Sequence, residues 1–117
     1  MKKIADIQTA LEFFQKAATS QAKATEQGDY KTANKNYNEI LKAIAFLKNK
    51  SAINTLSKLL SNPSIGVRLW AARFLLQINE TESIKILTEI ANTESIHSLS
   101  AETTIEEGHR NIYTTSC

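Results

Sequence analysis

Glycine and proline are nearly missing from this sequence, with three Gly and one Pro among 117 residues. Strand-rich folds need many tight turns, and those turns draw on Gly, Pro and Asn-Gly pairs. Their scarcity, beside plentiful Ala, Leu, Lys, Glu and Gln, points to an all-α chain. Cysteine is almost as scarce. The single Cys117 has no partner for an internal disulfide, so nothing asks for an oxidising compartment. Nor does it fit a prenylation box, which needs three residues after the cysteine. Long apolar runs are absent too: no window approaches eighteen uninterrupted apolar residues, and no membrane helix is expected. The opening MKKIADIQ has two lysines, but Asp6, Gln8 and Glu12 break any signal-peptide core. The expected location is the cytoplasm.

The equipment of an enzyme is missing as well. His97 and His109 are the only histidines. No HExxH, CxxC or paired His-Cys spacing occurs, and no Gly-rich phosphate loop. Serines are abundant, but nothing in the sequence fixes one against a base. We therefore expect no catalytic residues, no metal and no cofactor.

What is there suits one helical domain. Hydrophobic residues make up 42% and charged residues 22%, which fits neither a disordered nor a membrane-spanning chain. Ile4, Ile7, Leu11, Phe14 and Ala18 recur at three- and four-residue steps, predicting a helix from about Ile4 to Gln27. Gly28 ends it and Asp29 caps the next. That second helix, about Tyr30 to Lys48, carries Tyr30, Ala33, Tyr37, Ile40, Ile44 and Leu47. So short a break implies an antiparallel hairpin.

Ser51 is read as the cap of a shorter helix to about Ser61. Asn62-Pro63-Ser64 is a turn, because Pro63 disfavours helix at Asn62. A helix from about Ile65 to Ile78 follows. Asn79-Glu80-Thr81-Glu82 has the spacing of a capping box before a helix from Glu82 to Asn92. A last helix spans about Ile96 to Glu107, stopping at Gly108, and the tail HRNIYTTSC shows no period. Ile53, Leu56 and Leu59 recur 31 positions later as Ile84, Leu87 and Ile90. With one deletion, Leu69 and Ala71 recur as Leu99 and Ala101. The organisation is therefore a long hairpin (1–50), two helix-turn-helix repeats (51–79 and 80–108) and a tail (109–117), stacked as a short solenoid.

The helix 65–78 is apolar around most of its circumference. Only Gly66, Trp70, Arg73 and Gln77 share a narrow stripe, and a helix this apolar is buried on more than one side. Asn62-Pro63 followed by Val67-Arg68, Ala71-Ala72 and Leu75 resembles the second helix of a HEAT or armadillo repeat. Asp29-Tyr30, Asn34 and Tyr37, with Val67 through Ala72, also resemble a family of small, functionally uncharacterised bacterial helical proteins. These resemblances imply an α-α superhelix with a protein-interaction role. One departure stands out. No Asp follows Asp29 to partner Arg68, which leaves a Glu, a helix C-terminus or a ligand for it.

Net charge is +2, but unevenly spread. Residues 1–75 hold twelve Lys/Arg against five Asp/Glu, a balance of +7; residues 76–117 hold two against seven, a balance of −5. Such asymmetry steers partners, although solvated faces of differing sign would give the same count. The candidate partner-binding residues are Trp70, Arg73 and Gln77, with Glu94, Glu102, Glu106 and Glu107. Trp and Arg are common interface anchors; the competing reading places Trp70 over the seam between hairpin and first repeat. Asn34 and Asn38 are read as a hairpin-seam hydrogen bond and a solvated residue.

The leading expectation is a non-enzymatic protein-binding module. A toxin-neutralising immunity protein fits, occluding a basic active site such as a nuclease's with the acidic region 80–107. The alternative is a nucleic-acid-binding array using Lys2, Lys3, Lys16, Lys23, Lys31, Lys35, Lys42, Lys48 and Lys50. A structural module within an oligomer is the third reading.

Overall fold

The computed structural model describes residues 4–115, with side chains through Glu107. Lys2, Lys3 and Cys117, and the side chains of His109 and Arg110, lie outside the described residues. Asp6 opens the first helix, α1 (Ile7–Glu26), by accepting from the Thr9 backbone N–H at 2.7 Å. Asp29 does the same for α2 (Tyr30–Asn49) through Thr32, at 3.1 Å. At Asp6 the backbone hydrogen bond from Thr9 holds the carboxyl below its ordinary pKa. At Asp29 the lowering comes chiefly from its side-chain hydrogen bond with Thr32. Helix α1 thus starts three residues later than the apolar period predicts, because the cap at Asp6 leaves Ile4 outside.

Both long helices end alike. Gly28 N–H reaches Thr25 O and Asp29 N–H reaches Ala24 O. Ser51 N–H reaches Lys48 O and Ala52 N–H reaches Leu47 O. Each pair is the double bond of a Schellman motif, which needs a left-handed residue. Gly28 takes that place with φ 73°, and Ser51 takes it with φ 54°. Ser51 is therefore the stop of α2, not the cap expected from its type.

The next element is a 3-10 helix, Ile53–Leu59, without a side-chain cap. It is tighter and shorter than the predicted helix to Ser61. Asn54, Thr55 and Ser57 are weak helix formers, and the Thr55 hydroxyl bonds the Ala52 carbonyl at 2.6 Å, a local competitor to helical pairing. Asn62-Pro63-Ser64 then turns the chain as predicted, and Ser64 caps α3 (Ile65–Leu75) by accepting from Val67 N–H. Arg68 pairs with no Glu among the described residues. Its Nη1 donates to the carbonyls of Asn62 at 2.8 Å and Pro63 at 3.1 Å, closing the turn.

Helix α3 stops three residues before Ile78. The Leu75 carbonyl accepts from both Ile78 and Asn79 N–H, so Gln77 and Ile78 lie in an exposed turn. Helix α4 (Glu80–Ala91) begins at Glu80, and the Asn79 side chain makes no capping bond, so the capping box does not form. Helix α5 runs from His97 to Thr115, straight through Gly108. A glycine inside a helix costs about 1 kcal/mol but ends it only where the chain turns left-handed.

The fold is an all-α repeat array. Helix α3 sits at its centre, packed against α1, the 3-10 helix, α4 and α5. That position explains its apolar circumference: Gly66, Val67, Leu69, Trp70, Ala71, Ala72 and Leu75 are all buried. One core runs from Ala10 to Ala101, and alanines 10, 17, 18 and 22 let α1 approach its neighbours closely. The first half of the sequence repeat holds, since Leu56, Leu59, Leu87 and Ile90 are all buried. The second half holds at Ala71 and Ala101, both fully buried, and fails at the leucines. Leu69 is buried but Leu99 is 69% exposed, because α5 turns His97, Ala101 and Thr104 inward instead. Tyr30 also leaves the predicted stripe, at 72% exposed. Asn34 and Asn38 are both exposed, so neither is a seam hydrogen bond.

Candidate functional site

Gly66 governs how α3 approaches the hairpin. A β-carbon there would lie 2.5 Å from the Ala22 β-carbon and 2.9 Å from the Ala18 carbonyl oxygen. Only glycine lets the first turn of α3 seat on α1 at this distance. One turn later, Trp70 enters the seam between hairpin and repeat, 6% exposed. Its indole N–H donates to Gln21 Oε1 at 3.0 Å. Its ring stacks on Phe74 at 6.1 Å and meets Tyr37 of α2 at 5.3 Å. The Arg73 guanidinium lies over the same ring, 4.6 Å from its centroid. Buried polar tips need partners, and Gln21 supplies one.

Tyr37, Trp70, Arg73, Phe74, Leu76, Gln77, Thr104 and Glu107 line a cleft of about 240 Å³ between α2, α3 and α5. Four candidate residues, Trp70, Arg73, Gln77 and Glu107, therefore meet in one place. The other three do not join them. Glu102 and Glu106 are exposed on the side of α5 away from buried Ala101 and Thr104, and Glu94 is exposed in the α4–α5 connection. Helical geometry separates them: residues four apart share a face, and Glu102 and Glu106 form an outer ridge while Glu107 turns to the cleft. Every glutamate from Glu80 to Glu107 is exposed, and none forms an ion pair among the described residues.

Three side-chain hydrogen bonds tie α1 to the repeats. Asn62 Nδ2 donates to Gln15 Oε1 at 3.1 Å, Trp70 bonds Gln21, and His97 Nε2 lies 2.7 Å from Glu26 Oε2. His97 is 3% exposed at the start of α5, where the sequence shows little regularity. These partners escaped the sequence reading. The available signal is on α1: Gln15, Ala18, Ala22 and Glu26 sit three or four apart, a small-and-polar face beside the apolar one. Among the described residues, no three His, Cys, Asp or Glu gather in a way that could hold a metal ion. No described helix is long and apolar enough to cross a membrane.

The family model for HEAT repeats matches residues 32–104, from the start of α2 to the middle of α5. Helix α1 lies outside that match. No curated protein and no solved structure matches the chain.

Proposed function

This chain belongs to the HEAT-repeat family, and from that premise we propose that it is a non-enzymatic protein-binding module for a basic partner. HEAT repeats commonly mediate protein–protein interaction. The carrying observation is electrostatic. Glu80, Glu82, Glu89, Glu94, Glu102, Glu106 and Glu107 are all exposed and uncompensated by described ion pairs. Such a field raises the on-rate of a cationic protein and rejects polyanions. The finer reading is an immunity protein of the bacterial cytoplasm. Its acidic surface would cover the phosphate-binding cations of a toxin such as a nuclease.

One observation favours the alternative of nucleic-acid binding. Lys31, Lys35, Asn38 and Lys42 are exposed along one face of α2, a spacing suited to phosphate contacts. Affinity capture of the tagged chain from its native cells at low salt separates the two. A stoichiometric basic protein, retained after nuclease treatment and lost with Glu102→Lys/Glu106→Lys, is the expected result. Partners that vanish on nuclease treatment and persist with that variant would transfer the function to α2.

A further inference from the structure

Arg73 is held more closely over an aromatic ring than any other described cation. Arg68 is consumed by two turn carbonyls. The described lysines are all exposed; Lys42 pairs with Glu39 at 3.3 Å, and Lys50 lies over Phe46 at the longer distance of 5.7 Å. The Arg73 guanidinium carbon instead lies 4.6 Å from the Trp70 ring centroid, and Trp70 is fixed by Gln21 and by stacking on Phe74. The guanidinium is thus oriented before any partner arrives. A planar fork so held is suited to bidentate recognition of an oxyanion. Among the described residues it forms no ion pair.

Glu107 lines the same cleft from α5. The two opposite charges share one small space without closing a salt bridge on each other. Tyr37, Phe74 and Leu76 line the same cleft and give it apolar surface. The volume, about 240 Å³, falls below the range of roughly 300–1,000 Å³ typical of small-molecule sites. It suits one or two side chains. A dianionic phosphate fits poorly beside Glu107, with Glu102 and Glu106 on the same helix, because like charges repel at this range. A single carboxylate with a cation next to it matches both ends.

We propose that this cleft takes a short partner segment in which a Glu or Asp is followed by Lys or Arg. The carboxylate forks onto Arg73, the cation pairs with Glu107, and the stems cover Phe74 and Leu76. The proposal rests on the protein-binding reading and gives the partner its local chemistry.

Trp70 is the chain's single tryptophan and lines the cleft, so its fluorescence and its indole N–H resonance can be followed without overlap from another indole. The probe is the capped tripeptide acetyl-Ala-Glu-Lys-amide, titrated to about 10 mM, a range that captures weak, millimolar affinity. The expected result is a saturable shift of the Trp70 signals. Binding should fall at least tenfold when Gln replaces the peptide Glu, and at least tenfold in Arg73→Gln. Arg73→Lys, which keeps the charge and loses the fork, should bind several-fold more weakly than the parent, and Glu107→Gln should respond less to the peptide Lys. An unmoved indole resonance, or equal binding of the Gln peptide, overturns the proposal. Should that occur while Glu102→Lys/Glu106→Lys still abolishes partner capture, the protein-binding reading stands and only the cleft is removed from it.

Discussion

A β-carbon on Gly66 would sit 2.5 Å from the β-carbon of Ala22. Two effects then oppose each other in Gly66→Ala. Helix propensity favours alanine by about 1 kcal/mol. Overpacking of a tight contact costs about 1–3 kcal/mol, and the second close neighbour is the Ala18 carbonyl oxygen at 2.9 Å, a backbone atom that cannot swing away. We predict net destabilisation by urea denaturation. A gain in stability would show that α1 and α3 are free to separate at this point.

The two Schellman stops predict changes of opposite sign. Gly28 has φ 73° and open space around its α-carbon, so Gly28→Ala should cost about 1 kcal/mol through backbone strain alone. Ser51 holds φ 54° with a side chain, so Ser51→Gly should stabilise by up to about 1 kcal/mol. Thermal melts of both variants test this, and two changes of equal sign would contradict it.

Ser83 Oγ is buried without a hydrogen-bond partner among the described residues. Its counterpart 31 positions earlier is Ala52, also buried. Leaving a buried hydroxyl unsatisfied costs about 1–3 kcal/mol. Ser83→Ala should therefore raise stability by about 1 kcal/mol in chemical denaturation. A clear loss would mean that the hydroxyl has a partner in solution, such as an internal water.

Trp70 and Gln21 give a coupling prediction. Trp70→Phe keeps an aromatic ring in the seam and removes the indole donor. The two residues should show a double-mutant coupling of about 0.5–1.5 kcal/mol with Gln21→Ala. Strict additivity of the two variants would place the stabilisation in ring packing alone.

Acid should weaken the two caps. Asp6 and Asp29 have carboxyls held below the ordinary value of 3.8 in the folded chain. A depressed folded pKa contributes stability that is present above the unfolded value and lost as pH falls through the folded one. Asp6→Asn and Asp29→Asn keep an acceptor at each cap and remove the titration. The parent's melting temperature should fall more steeply than the double variant's as pH drops below about 4. Parallel pH curves would exclude the caps as the source.

The sequence carried the helices well because their signals are local. The steps from Leu11 to Phe14 to Ala18 and from Ile40 to Ile44 to Leu47 each mark one buried face. Asn62-Pro63-Ser64 announced its turn, and the crowded apolar circle of Val67, Leu69, Ala72 and Leu75 announced a central helix. Ends were less legible, because they depend on hydrogen bonds rather than period. Ser51 is a plausible cap by type and a stop by φ. Gly108 is a plausible stop by type and lies inside α5. The cleft was half legible: Trp70, Arg73 and Gln77 share a stripe of one helix. Glu107 reached the same place from α5, and Tyr37 from α2, by packing that no local pattern encodes. Glu26 and His97 stand 71 positions apart, and nothing in their neighbourhoods marks them as partners.

Helix α1 has a consequence for how such a chain changes over generations. Repeat arrays ordinarily gain or lose units freely, since each unit touches only its neighbours. Here one helix, about 30 Å long, holds the turn before α3 through Gln15, α3 itself through Gln21, and the start of α5 through Glu26. It works as a ruler laid along the stack. A unit inserted between the 3-10 helix and α5 would carry His97 out of reach of Glu26. An interior duplication would therefore give up the His97–Glu26 contact, whereas a unit added beyond α5 would leave all three contacts in place.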